Sequence, residues 1–167
     1  MRVLYLRNLR KLIVRYGSSN IIYFDESGFK SEDYRPHGWA VRGKKIHGSI
    51  CGNRRKAPNL IMAQRGKEWL APMLFKASCT AQTVLAWLEK MLLKELTTPS
   101  VIIMDNAAFH QKEKIRALLE SVGHTLLCLP PYSPDLNPIE QSFAVIKKRR
   151  QFFKGTNALE IILNGDL

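Results

Sequence analysis

Three carboxylates in this sequence are spaced so that a folded chain could bring them to one point. Asp25 closes the β-rich run Ile21-Ile22-Tyr23-Phe24, Asp105 closes the apolar run Val101-Ile102-Ile103-Met104, and Glu140 ends the stretch PYSPDLNPIE. An apolar strand buried in a sheet delivers the side chain at its end to a fixed place on the sheet edge. If the two runs are neighbouring strands, both aspartates arrive there together. Carboxylates so close repel, so one takes up a proton or a divalent cation lies between them. Oxygen donors without thiolate suit Mg²⁺ or Mn²⁺. Three carboxylates around two such ions meet the needs of phosphodiester chemistry: an activated water or 3′-hydroxyl, and a stabilised leaving oxygen.

Each acid also has a plainer reading. Asp25 and Asp105 suit ordinary loops after strands, and Glu26 competes with Asp25. Glu140 fits the third helical position of a capping box with Asn137, reaching back to its backbone N–H. Asp135, five residues before Glu140, is an alternative third ligand on spacing alone.

The elements that must position these acids follow from pattern. Strands are expected at Asn20–Asp25, near Trp39–Val41 and Lys45–Cys51 about the turn Arg42-Gly43-Lys44, and at Asn59–Gln64 and Trp69–Phe75. Thr80 reads as the N-cap of a helix to about Leu96, with Leu85, Leu88, Leu92 and Leu96 on one face. Val101–Asp105 is a buried strand. A helix from Gln111 to Val122 stops at Gly123, and Thr125–Leu129 is a further strand. The loop from Pro130 to Asp135 is extended and stiff, and Asn137 with Pro138 opens a last helix to about Phe153. Strands alternating with helices in this order predict a mixed α/β layer fold.

Composition narrows the class. The chain has 167 residues, enough for one domain, with 46% apolar residues. Three distant cysteines, Cys51, Cys79 and Cys128, argue against a disulfide framework or a zinc ribbon, and suit a reducing, cytosolic setting. No apolar run approaches a membrane span. The first residues are basic, with Val3, Leu6, Leu9 and Ile13 at helical spacing, and predict a leader helix over 1–19. Arg2, Arg7, Arg10, Lys11 and Arg15 interrupt any secretory core, although a basic, acid-free start also suits a transit peptide.

The net charge is +12, from 26 Lys and Arg against 14 Asp and Glu. No acid falls between Asp33 and Glu68, a stretch that holds Arg35, Arg42, Lys44, Lys45, Arg54, Arg55, Lys56, Arg65 and Lys67. Lys147, Lys148, Arg149 and Arg150 form a second block. Such a field draws polyphosphates through counterion release, so nucleic acid is the expected partner.

The segments FDESGF, HGWAVRG, IIMDNAAFH and LPPYSPDLNPIEQSFAVIKKR resemble, in order, the motifs of DDE transposases of the mariner superfamily, in its bacterial insertion-sequence branch. The resemblance covers about Ile21 to Arg150, and the PYSPDLNPIE stretch is its most specific part. It implies that Asp25, Asp105 and Glu140 are the catalytic and metal-binding acids. Thirty-four residues separate the last two, as in the superfamily's glutamate-bearing members, which favours Glu140 over Asp135. It further implies a ribonuclease-H-like fold, a mixed central β-sheet flanked by helices, over 20–153, with 154–167 a short tail. Two Mg²⁺ or Mn²⁺ ions, cleavage of double-stranded DNA at element ends, transfer of 3′-ends into target DNA and a TA target are expectations of the same kind. So are a homodimer that pairs two ends and a bacterial, cytoplasmic, nucleoid-associated setting.

Asn106 and His110 belong to the matching DNAAFH segment and are candidate supports of the site, His110 alternatively a helix-entry residue. Trp39 is a candidate for stacking on DNA or for core packing. Arg42, Lys44, Lys45, Arg54, Arg55, Lys147 and Lys148 are candidate phosphate contacts, Lys147 because it shares a helix stripe with Glu140 and Ala144. Family members carry helix-turn-helix domains ahead of the catalytic domain, and some twenty residues are too few for one, so a separate helix-turn-helix polypeptide is a further expected partner. A non-catalytic DNA-binding remnant that interferes with an intact enzyme, and a metal nuclease acting on RNA–DNA hybrids, are the competing functions.

Overall fold

The computed structural model describes residues 1–29, 39–45, 47, 58–106, 111–150 and 163. Its frame is a five-stranded sheet in the order β3-β2-β1-β4-β5, formed by β1 (Ile21–Gly28), β2 (Asn59–Arg65), β3 (Glu68–Phe75), β4 (Val101–Met104) and β5 (Thr125–Cys128). β1, β2 and β3 are antiparallel, whereas β4 and β5 run parallel to β1. The central strand therefore joins a meander to a parallel half.

Alternation along β1 and β4 sorts the two sheet faces. Ile22, Phe24, Ile102 and Met104 point to one side and pack on α2 (Ala81–Trp87), the π-helical Leu88–Leu92 that continues it, and α4 (Lys112–Ser121). Val84, Trp87, Leu88, Leu92, Ile115 and Leu119 supply the helical half of that core. Ile21, Val101 and Ile103 point to the other side, onto Tyr5 of α1 (Arg2–Tyr16). On the same side, Leu60 and Met62 of β2 meet Ile139, Phe143 and Ile146 of α5 (Ile139–Arg150), with Leu163 packed against them.

Thr80 caps α2 as expected, its hydroxyl accepting the Thr83 N–H at 3.2 Å. The uninterrupted α-helix expected to Leu96 instead carries five π-helical residues before the short α3 (Leu93–Glu95). This places Glu95 and Trp87 on one bent stretch of β3. Glu95 accepts the Ala71 N–H at 3.1 Å, and Trp87 Nε1 donates to the Ala71 carbonyl at 2.7 Å. Ala71 has φ 48°, a left-handed conformation held by hydrogen bonds to both its N–H and its carbonyl.

Two expectations are corrected. Trp39–Val41 is not a strand, although the turn after it forms, with Gly43 at φ 87° and Lys44 N–H on the Val41 carbonyl. Lys45 and His47 are likewise outside any strand, and the rest of Lys45–Cys51 lies outside the described residues. Residues 151–153, expected to end the last helix, also lie outside them. No helix among the described residues is long and apolar enough to cross a membrane.

Candidate active site

Asp25 was expected at the end of its strand, but β1 runs three residues further, to Gly28. What ends near Asp25 is the pairing with β4. That parallel ladder covers Ile21, Ile22 and Tyr23 against Val101, Ile102 and Ile103; beyond it β1 is held by β2 alone, with Asp25 opposite Met62. Two further steps of the parallel register would set Asp25 against Asp105, which follows the last residue of β4. Both aspartates thus lie where the sheet parts between its two halves. Alternation puts Asp25 on the face of Tyr23 and Met62, under α5. Glu26 points to the opposite face, where its charge, with that of Asp25, reinforces the burial that pushes the Cys79 thiol up to about 11.

Asp25 is held by two donors. The Glu26 N–H reaches its Oδ1 at 2.8 Å, and Asn137 Nδ2 reaches its Oδ2 at 3.0 Å. Burial pushes its carboxyl up to about 7; the Glu26 N–H pulls it down, while the charges of Glu26, Asp105 and Glu140 push it up. Those three charges acting on one carboxyl mark the acids as electrostatic neighbours.

The sequence predicts Asn137 as the cap of the last helix. Its side chain turns to Asp25 instead, and its Oδ1 is buried with no hydrogen-bond partner among the described residues. The Asn137 N–H donates to the Pro134 carbonyl at 2.9 Å, closing the 3₁₀ turn Pro134–Leu136. The capping-box role open to Glu140 is thereby taken, and Glu140 lies exposed in the first turn of α5. Asp135 is exposed and paired with Arg2, whose hydrogen bond holds its carboxyl below the usual range.

An open groove of about 360 Å³ is lined by Asp105, Asn106, Asn137, Glu140 and the loop Pro130–Pro134. Asn106 is exposed and accepts hydrogen bonds from Lys112 Nζ through both its side-chain and backbone oxygens. Lys147 and Lys148 are exposed on α5, with Lys147 Nζ 5.7 Å from the centre of the Phe29 ring. Trp39, Arg42, Lys44 and Lys45 are all exposed, which removes the core-packing alternative for Trp39. His110, Arg54 and Arg55 lie outside the described residues.

Among the described residues, no three His, Cys, Asp or Glu side chains converge closely enough to hold a metal ion. The donor chemistry nevertheless fits a hard divalent cation: Asp25, Asp105 and Glu140 offer only carboxylate oxygens, and their mutual repulsion is what such an ion relieves. Asn137 was missed at this site because its local signal, Asn before Pro at a helix start, is fully explained by capping. Only its contact with Asp25, 112 residues away, reveals the other use.

Residues 20–159 match the DDE superfamily endonuclease family, to which the chain belongs. The fold is that of the ribonuclease-H-like integrases and transposases. A paired-end complex of the Mos1 mariner transposase with Mn superposes over 98% of this chain and 53% of its own, at TM-score 0.76 and 19% identity. The catalytic domain of Mos1 mariner transposase aligns over 98% of this chain and 78% of its own, at TM-score 0.63 and 17% identity. A chain of the simian T-cell lymphotropic virus intasome aligns over 87% of this chain and 47% of its own, at TM-score 0.56 and 16% identity. This chain spans about half the length of the full Mos1 chains it resembles. No curated protein matches it by sequence.

Proposed function

We propose that the chain is the catalytic portion of a cut-and-paste DNA transposase of the bacterial insertion-sequence branch, which cleaves double-stranded DNA at element ends and joins the 3′-ends to target DNA. The observation that supports this reading best is that the charges of Asp105 and Glu140 act on the buried carboxyl of Asp25, beside the parting of β1 from β4. The family match to DDE endonucleases and the fold shared with Mos1 support it.

Asp25, Asp105 and Glu140 are the residues that would hold Mg²⁺ or Mn²⁺, in two sites. Bound there, the ions supply positive charge that lowers the pKa of an attacking hydroxyl and offsets charge on the leaving oxygen. Structures of Mos1 with Mn and with Mg support the choice of metal. The chain's own residues do the positioning. Asn137 and the Glu26 N–H fix the two oxygens of Asp25 in orientation, and β4 and α5 bring the other two acids to the groove. The net charge of +12 supports binding of DNA along its backbone. Mos1 forms paired-end and strand-transfer complexes, which supports two copies of this chain holding two ends; recognition of the ends falls to a helix-turn-helix polypeptide.

The test is metal-dependent nicking of supercoiled DNA by the protein supplemented with a helix-turn-helix portion, beside Asp25→Asn, Asp105→Asn and Glu140→Gln. Cutting by the wild type and loss in all three folded variants is the expected result. A folded wild type that binds DNA and never cuts would instead favour the non-catalytic remnant. Preference for RNA–DNA hybrid over duplex would favour the hybrid nuclease.

A further inference from the structure

Tyr132 is the feature of the groove wall that the chemistry above leaves unused. Its side chain is 100% exposed, and its φ is 52°. Residues bearing a Cβ enter that left-handed region only at a cost in energy. Pro131 followed by a positive φ is the arrangement of a turn whose second corner normally falls to Gly or Asn. A tyrosine there is disfavoured by its backbone and buries nothing, so folding does not account for it.

The turn is also firmly mounted. On one side the Leu129 N–H donates to the Met104 carbonyl at 2.8 Å, which extends the β4–β5 ladder up to the loop. On the other, Ser133 is 5% exposed; its hydroxyl donates to the Pro131 carbonyl at 3.2 Å, and its carbonyl accepts the Leu136 N–H at 3.1 Å. The result is an aromatic plate with both faces bare, on the wall of the groove that holds Asp105 and Glu140.

We propose that Tyr132 is a stacking platform for an unpaired nucleobase of the nucleotide that adjoins the scissile phosphate. The inference rests on the nuclease reading above. A carboxylate-lined groove repels further phosphate, but a base is neutral and apolar on its face. Stacking accepts any base, because each has a π-face. The base must be unpaired and out of its stack, since neighbours cover both faces of a base within a duplex. The platform therefore sets how the strand end lies in the groove without reading its sequence.

The full chain, supplemented with the helix-turn-helix portion as above, is tested with duplexes carrying one unpaired 2-aminopurine at the 3′ end or at the 5′ end, with Ca²⁺ as the only divalent ion. Base fluorescence is read together with the anisotropy of a dye at the far end. Wild type and Tyr132→Phe should quench the 2-aminopurine, whereas Tyr132→Gly should lose the quenching and bind the overhang duplex about tenfold more weakly. Tyr132→Gly relieves the positive φ, so thermal melting should find it at least as stable as wild type. Dependence on Tyr132 at the 3′ end assigns the base to the strand bearing the attacking hydroxyl, and dependence at the 5′ end assigns it to the opposite strand; either upholds the platform. Equal quenching by wild type and Tyr132→Gly, or DNA bound by wild type without quenching, overturns the platform and leaves the nuclease reading intact. Failure to bind any duplex overturns both.

Discussion

Replacing Asp25 with asparagine should stabilise the metal-free protein, against the usual result for a change inside a central strand. Burial holds this carboxyl at about 7, against 3.8 for an unburied aspartate. At about 1.4 kcal/mol per unit, keeping it ionised in the fold costs on the order of 4 kcal/mol relative to the unfolded chain. Because the folded value is the higher one, the native state keeps a proton that the unfolded chain has already released. Stability contributed by this group is therefore greatest below about pH 4, falls as pH rises to about 7, and is flat beyond. The substituted amide carries no charge and can keep both hydrogen bonds. Its oxygen accepts the Glu26 N–H, and its amino group donates to Asn137 Oδ1 once the Asn137 amide turns over, which leaves the Asn137 amino group in the buried place that oxygen held. Urea unfolding in chelator is the assay. Between about pH 5 and about pH 8 the wild type should lose roughly 2–3 kcal/mol more than Asp25→Asn. The Arg2–Asp135 pair works in the opposite sense but is common to both proteins, so it cancels in the difference. An unchanged pH slope in the variant, or a variant weaker than wild type at both pH values, would refute the argument.

Mn²⁺ should raise the melting temperature of the wild type, by the equivalent of about 2.7 kcal/mol at a hundredfold excess over the dissociation constant. Chelation should reverse the shift and Asp105→Asn should abolish it; a full shift in that variant would place the ion elsewhere. Trp87→Phe removes the 2.7 Å bond from the indole to the buried Ala71 carbonyl. It should cost about 1–3 kcal/mol in urea unfolding, and a loss within the error of the extrapolation would mean that water replaces the indole.

The sequence made some of this arrangement readable and hid the rest for identifiable reasons. Val101–Met104 is apolar at every position because it is a parallel strand covered on both faces, a pattern that needs no partner to be recognised. Local preference alone ends β1 at Asp25, because Asp, Glu, Ser and Gly disfavour strands. Pairing with β2, from Asp25 on Met62 to Gly28 on Asn59, overrides that preference. The three acids stand as candidates through spacing and family resemblance, yet preferring Asp25 to Glu26 depends on which face each occupies, and that follows from the strand's register. Asn137 carried a capping signal so complete that nothing local pointed beyond it. The π-helical residues Leu88–Leu92 keep the same leucines buried as an α-helix would, so periodicity could not register them.

On the proposed function, the parting of β1 from β4 also bears on when the chain becomes able to cut. Asp25 emerges early in synthesis, Asp105 only with the far-removed strand that pairs beside it, and Asn137 and Glu140 later still. Contacts so distant along the chain form late, because the intervening loop must close first. A nascent or truncated chain that ends before α5 holds two of the acids and neither Asn137 nor Glu140. On the proposed function, competence to cut arrives only with the finished fold, and a prematurely terminated product is harmless by construction.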